Sequence, residues 1–258
     1  MSRIARFVRS PGALRAASVI VVVAAWEIFG RLDPIIASYP SAIAAAFVEL
    51  GFTEDVLLPA FATTLHGLVV GFAIAAVLGI VIGFGMGRIR LADLILDPYV
   101  SALYATPRIA LVPLLVLWVG IDFELRVTVV VLSAIFPIII NTYIGAKSVD
   151  RELLDTGRAF AANGSQLLTT VVVPASLPYL FAALRIGAAR ALVGIIVAEM
   201  TAAVTGTGRL IIQYGRFFET DRLFVPVIIL GLFSIVLAEV IYFLQRRVTP
   251  WARVERIR

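Results

Sequence analysis

A long apolar stretch, residues 62–87, places the strongest constraint on the fold of this chain. It contains no Asp, Glu, Lys or Arg. At 1.5 Å per residue, a helix over this stretch is long enough to cross the roughly 30 Å hydrocarbon layer of a bilayer. The chain of 258 residues is 61% hydrophobic, whereas soluble domains contain about 45–50% apolar residues. We therefore predict an all-α membrane protein with a single transmembrane domain over residues 1–258.

The apolar segments predict about six membrane spans. Segment 16–30 is interpreted as the first span rather than a signal peptide, because no small-residue cleavage site is evident in it. Pro98, Pro107 and Pro113 interrupt the third span, and such breaks are tolerated at membrane depth only inside protein or along a water-filled path. The predicted spans cover approximately residues 16–30, 62–87, 91–121, 124–145, 179–202 and 223–244.

Glycines recur at four-residue spacing within the second predicted span. Small residues at this spacing let helix backbones approach each other closely in lipid. We therefore expect this span to pack tightly against another helix. The pairs are Gly67/Gly71, Gly79/Gly83 and Gly83/Gly87.

The basic residues lie at the ends of spans, with an excess on one predicted side. A net charge of +5 could suit nucleic acid, but these residues form no single patch, which argues against it. The excess follows the positive-inside rule and predicts that both termini are cytoplasmic. The predicted cytoplasmic set is Arg3, Arg6, Arg9, Arg15, Arg88, Arg90, Lys147, Arg151, Arg158, Arg246, Arg247, Arg253, Arg256 and Arg258, against Arg31, Arg126, Arg209, Arg216 and Arg222 outside.

Residues 150–178 form a polar island between two apolar runs. Asp150 is predicted to cap a short amphipathic helix. The Asn-Gly pair at 163–164 is predicted to supply the left-handed residue that ends this helix. Ser165 would then cap a second helix, which Pro174 limits. The pattern alone leaves open a loop that merely connects two spans.

The first helix of this island is predicted to be amphipathic. Four residues at helical spacing form its apolar face, and three charged residues lie opposite. The apolar face is Leu153, Gly157, Phe160 and Ala161, and the charged face is Arg151, Asp155 and Arg158.

The order of residues in this island resembles the cytoplasmic signature loop of bacterial ABC importer permeases of the binding-protein-dependent type. That pattern is Glu-Ala-Ala, three residues, Gly, nine residues, then Ile-x-Leu-Pro. Asp155, Thr156 and Gly157 align with Glu-Ala-Ala, and 171–174 align with the last four positions. Ala161 departs from the usual glycine. Ala is tolerated there if the backbone stays helical and the Asn-Gly pair forms the turn.

Further segments look like the sulfonate, nitrate and taurine branch of this family, and the resemblance covers about residues 60–250. It implies a type I importer permease fold, with 150–178 as a cytoplasmic coupling loop in the bacterial inner membrane. The segments are 105–121, 136–150 and 177–200.

The same resemblance implies partners. Two permease chains, by default a homodimer, would form the pore with two ATP-binding subunits, and an extracytoplasmic binding protein would deliver the substrate. This chain has no G-x-x-x-x-G-K-[ST] phosphate loop, so ATP and Mg²⁺ are expected in the partner subunit and the chain itself is expected to be non-catalytic. The residues implied in ATPase coupling are Leu153, Asp155, Thr156, Gly157, Arg158, Phe160, Ala161, Asn163, Gly164 and Pro174.

Among the ionisable residues of the predicted spans, the candidates for the translocation pathway are Arg108, Arg190 and Glu199. A charge in the membrane interior is costly unless it faces a partner or water. One interpretation places these residues along a pathway for an anion. The favoured interpretation is structural, with pairing between helices for Arg190 and Glu199 and an interfacial anchor for Arg108.

The alternatives to an importer permease are a self-contained secondary transporter or channel, a membrane enzyme, and an assembly protein. The first would need inverted repeats or several paired intramembrane acids, and neither is visible. The second lacks material for a catalytic site, because the chain has one histidine and no cysteine. The expected substrate is a sulfonate, taurine, nitrate or a similar anion, with pyrimidine-type vitamin precursors or riboflavin as alternatives.

Overall fold

The computed structural model describes residues 11–202 and 205–251, which form helices and no strand. The arginines predicted at positions 3, 6, 9, 253, 256 and 258 lie outside these residues. The helices are α1 (Pro11–Gly30), α2 (Pro40–Val48), α3 (Leu57–Arg88), α4 (Arg90–Ala105), α5 (Val112–Val119), α6 (Phe123–Lys147), α7 (Arg151–Ala159), α8 (Gly164–Leu167), α9 (Val173–Ala202), α10 (Thr207–Arg216) and α11 (Thr220–Val248).

The prediction of about six spans is confirmed. Within the described residues, five helical segments are long and apolar enough to cross a membrane: α1, α3, α6, the continuous run Gly164–Ala202, and α11. The predicted third span is a bent pair, Arg90–Ala105 and Arg108–Val119, whose two halves meet at 84°. The bend lies at Pro107, whereas Pro98 lies inside α4.

Helices α3 and α6 pack with their backbones in close approach, as the glycine spacing predicts. A Cβ atom added to Gly71 would lie 2.7 Å from the Val130 side chain. One added to Gly83 would lie 2.7 Å from the carbonyl oxygen of Ile139. Any larger side chain would separate the helices. The core between α3, α6 and α9 contains Leu68, Ala75, Val130, Ala134, Ile138, Ala183, Ala191 and Ile195.

Helix α9 runs antiparallel to α6 and also meets it through glycines. Gly187 faces Ile138, and Gly194 faces Ser133. These two contacts fix the register, so each residue of α9 can be assigned a depth relative to α6.

The prediction that Pro174 ends a helix is wrong. Residues 168–172 form a π-turn in which the N–H of Val173 donates to the carbonyl oxygen of Leu168. The chain then enters α9, with Pro174 as its second residue. The wider π-turn lets the helix pass a proline, which has no N–H to contribute. The helix that contains the fifth span therefore begins well before residue 179.

Helix α10 was not predicted within the polar segment 201–222. Thr207, Leu210 and Tyr214 are buried along one side of it, at the spacing of an amphipathic helix. This short helix packs against α9, α11 and α3.

Candidate functional site

Loop 150–178 begins with the predicted cap. The Asp150 carboxylate accepts a hydrogen bond from the N–H of Glu152 at 3.0 Å. Asp155 and Arg158 form an exposed ion pair at 2.8 Å, which is worth little energetically because water screens both groups. Both side chains remain available to a partner surface.

The turn after α7 differs from the prediction. Ala161 has φ +56°, so it is the left-handed residue that ends the helix. The N–H of Ala161 donates to Arg158 and that of Ala162 donates to Gly157. This is the Schellman arrangement, in which glycine is the usual left-handed residue. Ala161 takes this left-handed conformation with a methyl group, at the position where the signature pattern has glycine.

Asn163 and Gly164 begin the next helix instead of ending the first. Asn163 is extended, with φ −74° and ψ 170°. Its side chain accepts from the N–H of Gln166, whose side chain accepts from the N–H of Asn163. This reciprocal capping box satisfies two donors that the helix end would otherwise leave unpaired. The prediction that Ser165 is the cap is therefore wrong.

The predicted apolar face of α7 is divided between two directions. Gly157 turns inward, where an added Cβ would lie 2.5 Å from Leu167, and Leu154 beside it is buried. Leu153 and Phe160 point outward and are 52% and 84% exposed. Gly157 therefore allows α7 and α8 to pack together, while the two large apolar side chains face solvent.

The loop is joined firmly to both adjoining spans. Leu154 and Val172 are buried in one cluster with Ala146, at the end of α6. Ser176, at the start of α9, donates to the carbonyl oxygen of Gly145 at 2.9 Å. The loop is thereby packed against the ends of both α6 and α9.

Glu199 is enclosed in a polar cluster between α3, α9 and α10. It is 1% exposed and accepts hydrogen bonds from the Thr64 hydroxyl and the Gly208 N–H, each at 2.9 Å. Thr64 also accepts from the N–H of Thr207. Arg126, 5% exposed, lies close enough to attract the carboxylate. These contacts favour the interpretation in which Glu199 joins helices over the one in which it lines a pathway.

Arg108 and Arg190 are brought together by the fold, although they lie on different helices. Arg108 follows the bend between α4 and α5, where its side chain lies over the rings of Tyr104 and Phe136, each at 5.4 Å. It also donates to the carbonyl oxygen of Leu132 at 3.4 Å. Arg190 is exposed, and the two guanidinium groups are close enough to repel each other.

Known proteins share this sequence and fold. Residues 75–254 match the family described as "Binding-protein-dependent transport system inner membrane component". The chain belongs to this family. The resemblance predicted from loop 150–178 is thus confirmed.

Relatives within the family differ in their named substrates. A Bacillus subtilis (strain 168) protein that carries the name of an aliphatic sulfonates transport permease, SsuC, is 29% identical over 90% of this chain and 84% of its own. The formylaminopyrimidine transport permease ThiX of Halalkalibacterium halodurans is 30% identical over 91% of this chain and 94% of its own. The inward-facing MetNI methionine ABC transporter shares the fold, with a TM-score of 0.61 and 19% identity over 77% of this chain and 96% of that one.

As a member of this family, the chain is a permease component of an ABC importer and a multi-pass protein of the bacterial inner membrane. Permease subunits of this kind are generally non-catalytic, and the ATPase is a separate subunit. Within the described residues, no group of three or more His, Cys, Asp or Glu side chains is arranged to hold a metal ion.

Proposed function

We propose that this permease forms a homodimeric pathway for a small anion, with an ATPase subunit docked on loop 150–178 of each copy. The outward-facing Leu153 and Phe160 carry this proposal. They lie about two helical turns apart, and large apolar side chains exposed together on one element mark a surface that another protein covers. Asp155, Thr156 and Arg158 would make polar contacts at its edge.

The connections of the loop explain how docking would drive transport. Asn163 and Gly164 start α8 in a fixed direction, and Pro174 lies where the π-turn passes into α9. Closure of the ATPase pair would therefore move the loop as a rigid lever on both adjoining spans, switching the pathway between its two faces. ATP and Mg²⁺ would be bound by the ATPase, and an extracytoplasmic binding protein would supply the substrate.

The substrate we propose is a small anion such as an aliphatic sulfonate, taurine or nitrate. The charges of Arg108 and Arg190 favour an anionic substrate, because two neighbouring cations oppose the entry of a cationic one. A pyrimidine precursor is the second candidate substrate, because the relative ThiX is named as a formylaminopyrimidine transport permease. Identification of the co-purifying binding protein and its ligand would distinguish the two.

Affinity purification of the tagged permease from its native membrane tests this proposal. We expect a Walker-A ATPase to co-purify and to hydrolyse ATP. Replacing Leu153 and Phe160 together by Ala should reduce the bound ATPase at least tenfold at unchanged permease yield. Phe52→Ala is a matched control, since Phe52 is 77% exposed but lies in the π-turn after α2. Full ATPase retention by the double variant would refute docking at this surface, and recovery of the permease alone would refute the importer assembly.

A further inference from the structure

Arg190 lies halfway through the membrane-spanning bundle. It falls between Gly187 and Gly194, which face Ile138 and Ser133 of α6. Interpolation between these two contacts places Arg190 level with about residue 136. The midpoint of α6 is residue 135, so Arg190 is near the middle of the spanning layer.

Arg108 reaches the same depth from another direction. Its guanidinium group lies 5.4 Å from the centre of the Phe136 ring and donates to the carbonyl oxygen of Leu132. Both of these residues belong to the middle of α6. The two arginines, far apart in sequence, therefore lie at the same depth, within electrostatic reach of each other.

Neither arginine forms an ion pair with a carboxylate in the described part of the chain. Glu199, the carboxylate of α9, is enclosed in its own cluster near the end of that helix. A cation at the bilayer centre is costly when it faces lipid, and repulsion adds to this cost for two cations together. The pair therefore faces either a water-filled path or an anion.

The environment of Arg108 fixes one side of its guanidinium group and leaves the rest available. Tyr104 and Phe136 hold the group through their ring faces, and among the described residues it donates one hydrogen bond, to the carbonyl oxygen of Leu132. A guanidinium group carries five N–H donors in a planar fork that matches the oxygens of a carboxylate or phosphate. A sulfonate or nitrate also presents several oxygens to such a fork.

The bend next to Arg108 adds a reason for this location. The two halves of the span meet at 84°, so the backbone between them leaves the regular helix at membrane depth. Such irregular backbone is found only inside protein or along a water-filled cavity. The bend and the two charges thus point to the same interior path.

We propose that Arg108 and Arg190 together form an anion-binding position at the middle of the translocation path, suited to a small oxyanion with one negative charge. This inference rests on the proposed import function and identifies the part of the path that selects for charge. A carboxylate of the second permease copy is the competing occupant, and it would neutralise the pair permanently.

The absence of cysteine from this sequence permits a direct test with single reporter thiols. Ile109→Cys places a thiol next to Arg108 in the chain, and Val193→Cys places one almost a helical turn from Arg190. Ile109 and Val193 are each 50% exposed. The assembled importer in native membrane vesicles is treated with the anionic reagent sulfonatoethyl methanethiosulfonate or the cationic reagent trimethylammonioethyl methanethiosulfonate. Each reaction rate is divided by the rate at which the same reagent reacts with a free thiol in protein-free solution.

We expect the anionic reagent to react about tenfold faster than the cationic one at both reporters. Adding Arg190→Gln or Arg108→Gln should reduce this preference several-fold. Arg88→Gln is the control, because it removes an equal charge from the exposed end of α3 and should leave the preference unchanged.

Two results would overturn the inference. Failure of both reagents to react would show that no water reaches the pair. Equal reaction rates with the two reagents would show that a protein carboxylate already neutralises it. The ATPase recovered with the same samples reports the import function separately. Retained ATPase with either negative result would reject only the anion-binding position, whereas loss of ATPase from the unsubstituted complex would reject the proposed function.

Discussion

The N–H of Ala162 donates a 3.1 Å hydrogen bond to the carbonyl oxygen of Gly157, and this bond closes the end of α7 around Ala161. Ala161 must take a left-handed backbone conformation for this hydrogen bond to form. An L-residue other than glycine pays about 1–2 kcal/mol for that conformation. Loop 150–178 therefore contains local strain at one position.

Ala161→Gly should relieve this strain and stabilise the loop by about 1 kcal/mol. Ala159→Gly is the matched control, because Ala159 lies inside α7, where glycine costs about 1 kcal/mol relative to Ala. Thermal unfolding of the purified importer, with limited proteolysis of residues 150–178, measures both changes. Equal effects of the two substitutions would contradict the role assigned to Ala161.

Thr64→Val should loosen α10 from the bundle. The substitution removes a donor to Glu199 and leaves the N–H of Thr207 without its acceptor, at a cost of about 1–3 kcal/mol. Hydrogen exchange of residues 207–216 should accelerate accordingly. Thr63→Val is the control, since the Thr63 hydroxyl bonds only to Pro59 of its own helix. Similar exchange rates in the two variants would show that the polar cluster does not hold α10.

Gly83→Ala should destabilise the contact between α3 and α6 by about 1–3 kcal/mol. The added methyl group would meet the backbone oxygen of Ile139 at 2.7 Å, and backbone cannot rotate away. Gly85→Ala on the same helix meets nothing within 4 Å and should be neutral or stabilising by up to about 1 kcal/mol. The measurement is the unfolding temperature of each variant in the same detergent. A loss of stability in Gly85→Ala equal to that in Gly83→Ala would contradict the packing explanation.

Gly157→Trp should disrupt the loop itself rather than a partner contact alone. The indole would collide with Leu167, which lies 2.5 Å from the position of an added Cβ. Proteolysis of the loop should therefore increase in the isolated permease, before any ATPase is added. Phe160→Trp, at an exposed position, should leave the proteolysis pattern unchanged. An intact loop in Gly157→Trp would show that α7 and α8 are not packed tightly at Gly157 and Leu167.

The features that sequence predicted are those with a local or periodic cause. Asp150 caps α7 through an N–H only two residues away. Gly71 and Gly83 lie on one side of α3 because of helical spacing, and their tight packing follows from their size. The apolar runs likewise predicted the spans, since their length is set by the thickness of a bilayer.

The prediction of the turn failed because Asn163 suits two roles. Asparagine can be the left-handed residue that ends a helix or the cap that begins one. The pattern Asn163-Gly-Ser-Gln166 is a capping-box signal and could have decided between these roles. The meeting of Arg108 and Arg190 had no such signal, because it depends on the packing of the bent span against α6 and α9.

The π-turn at 168–172 gives a geometric meaning to the number of residues between the loop and the span. Successive residues of an α-helix are about 100° apart around its axis. Removing one residue from this turn would swing the loop through about that angle relative to α9, directing Leu153 and Phe160 away from their present heading. The distance of nine residues in the signature pattern can therefore be understood as an angular setting. Chains can keep this spacing even where their residue types differ from the pattern. Here Val171 and Val173 stand in place of Ile and Leu.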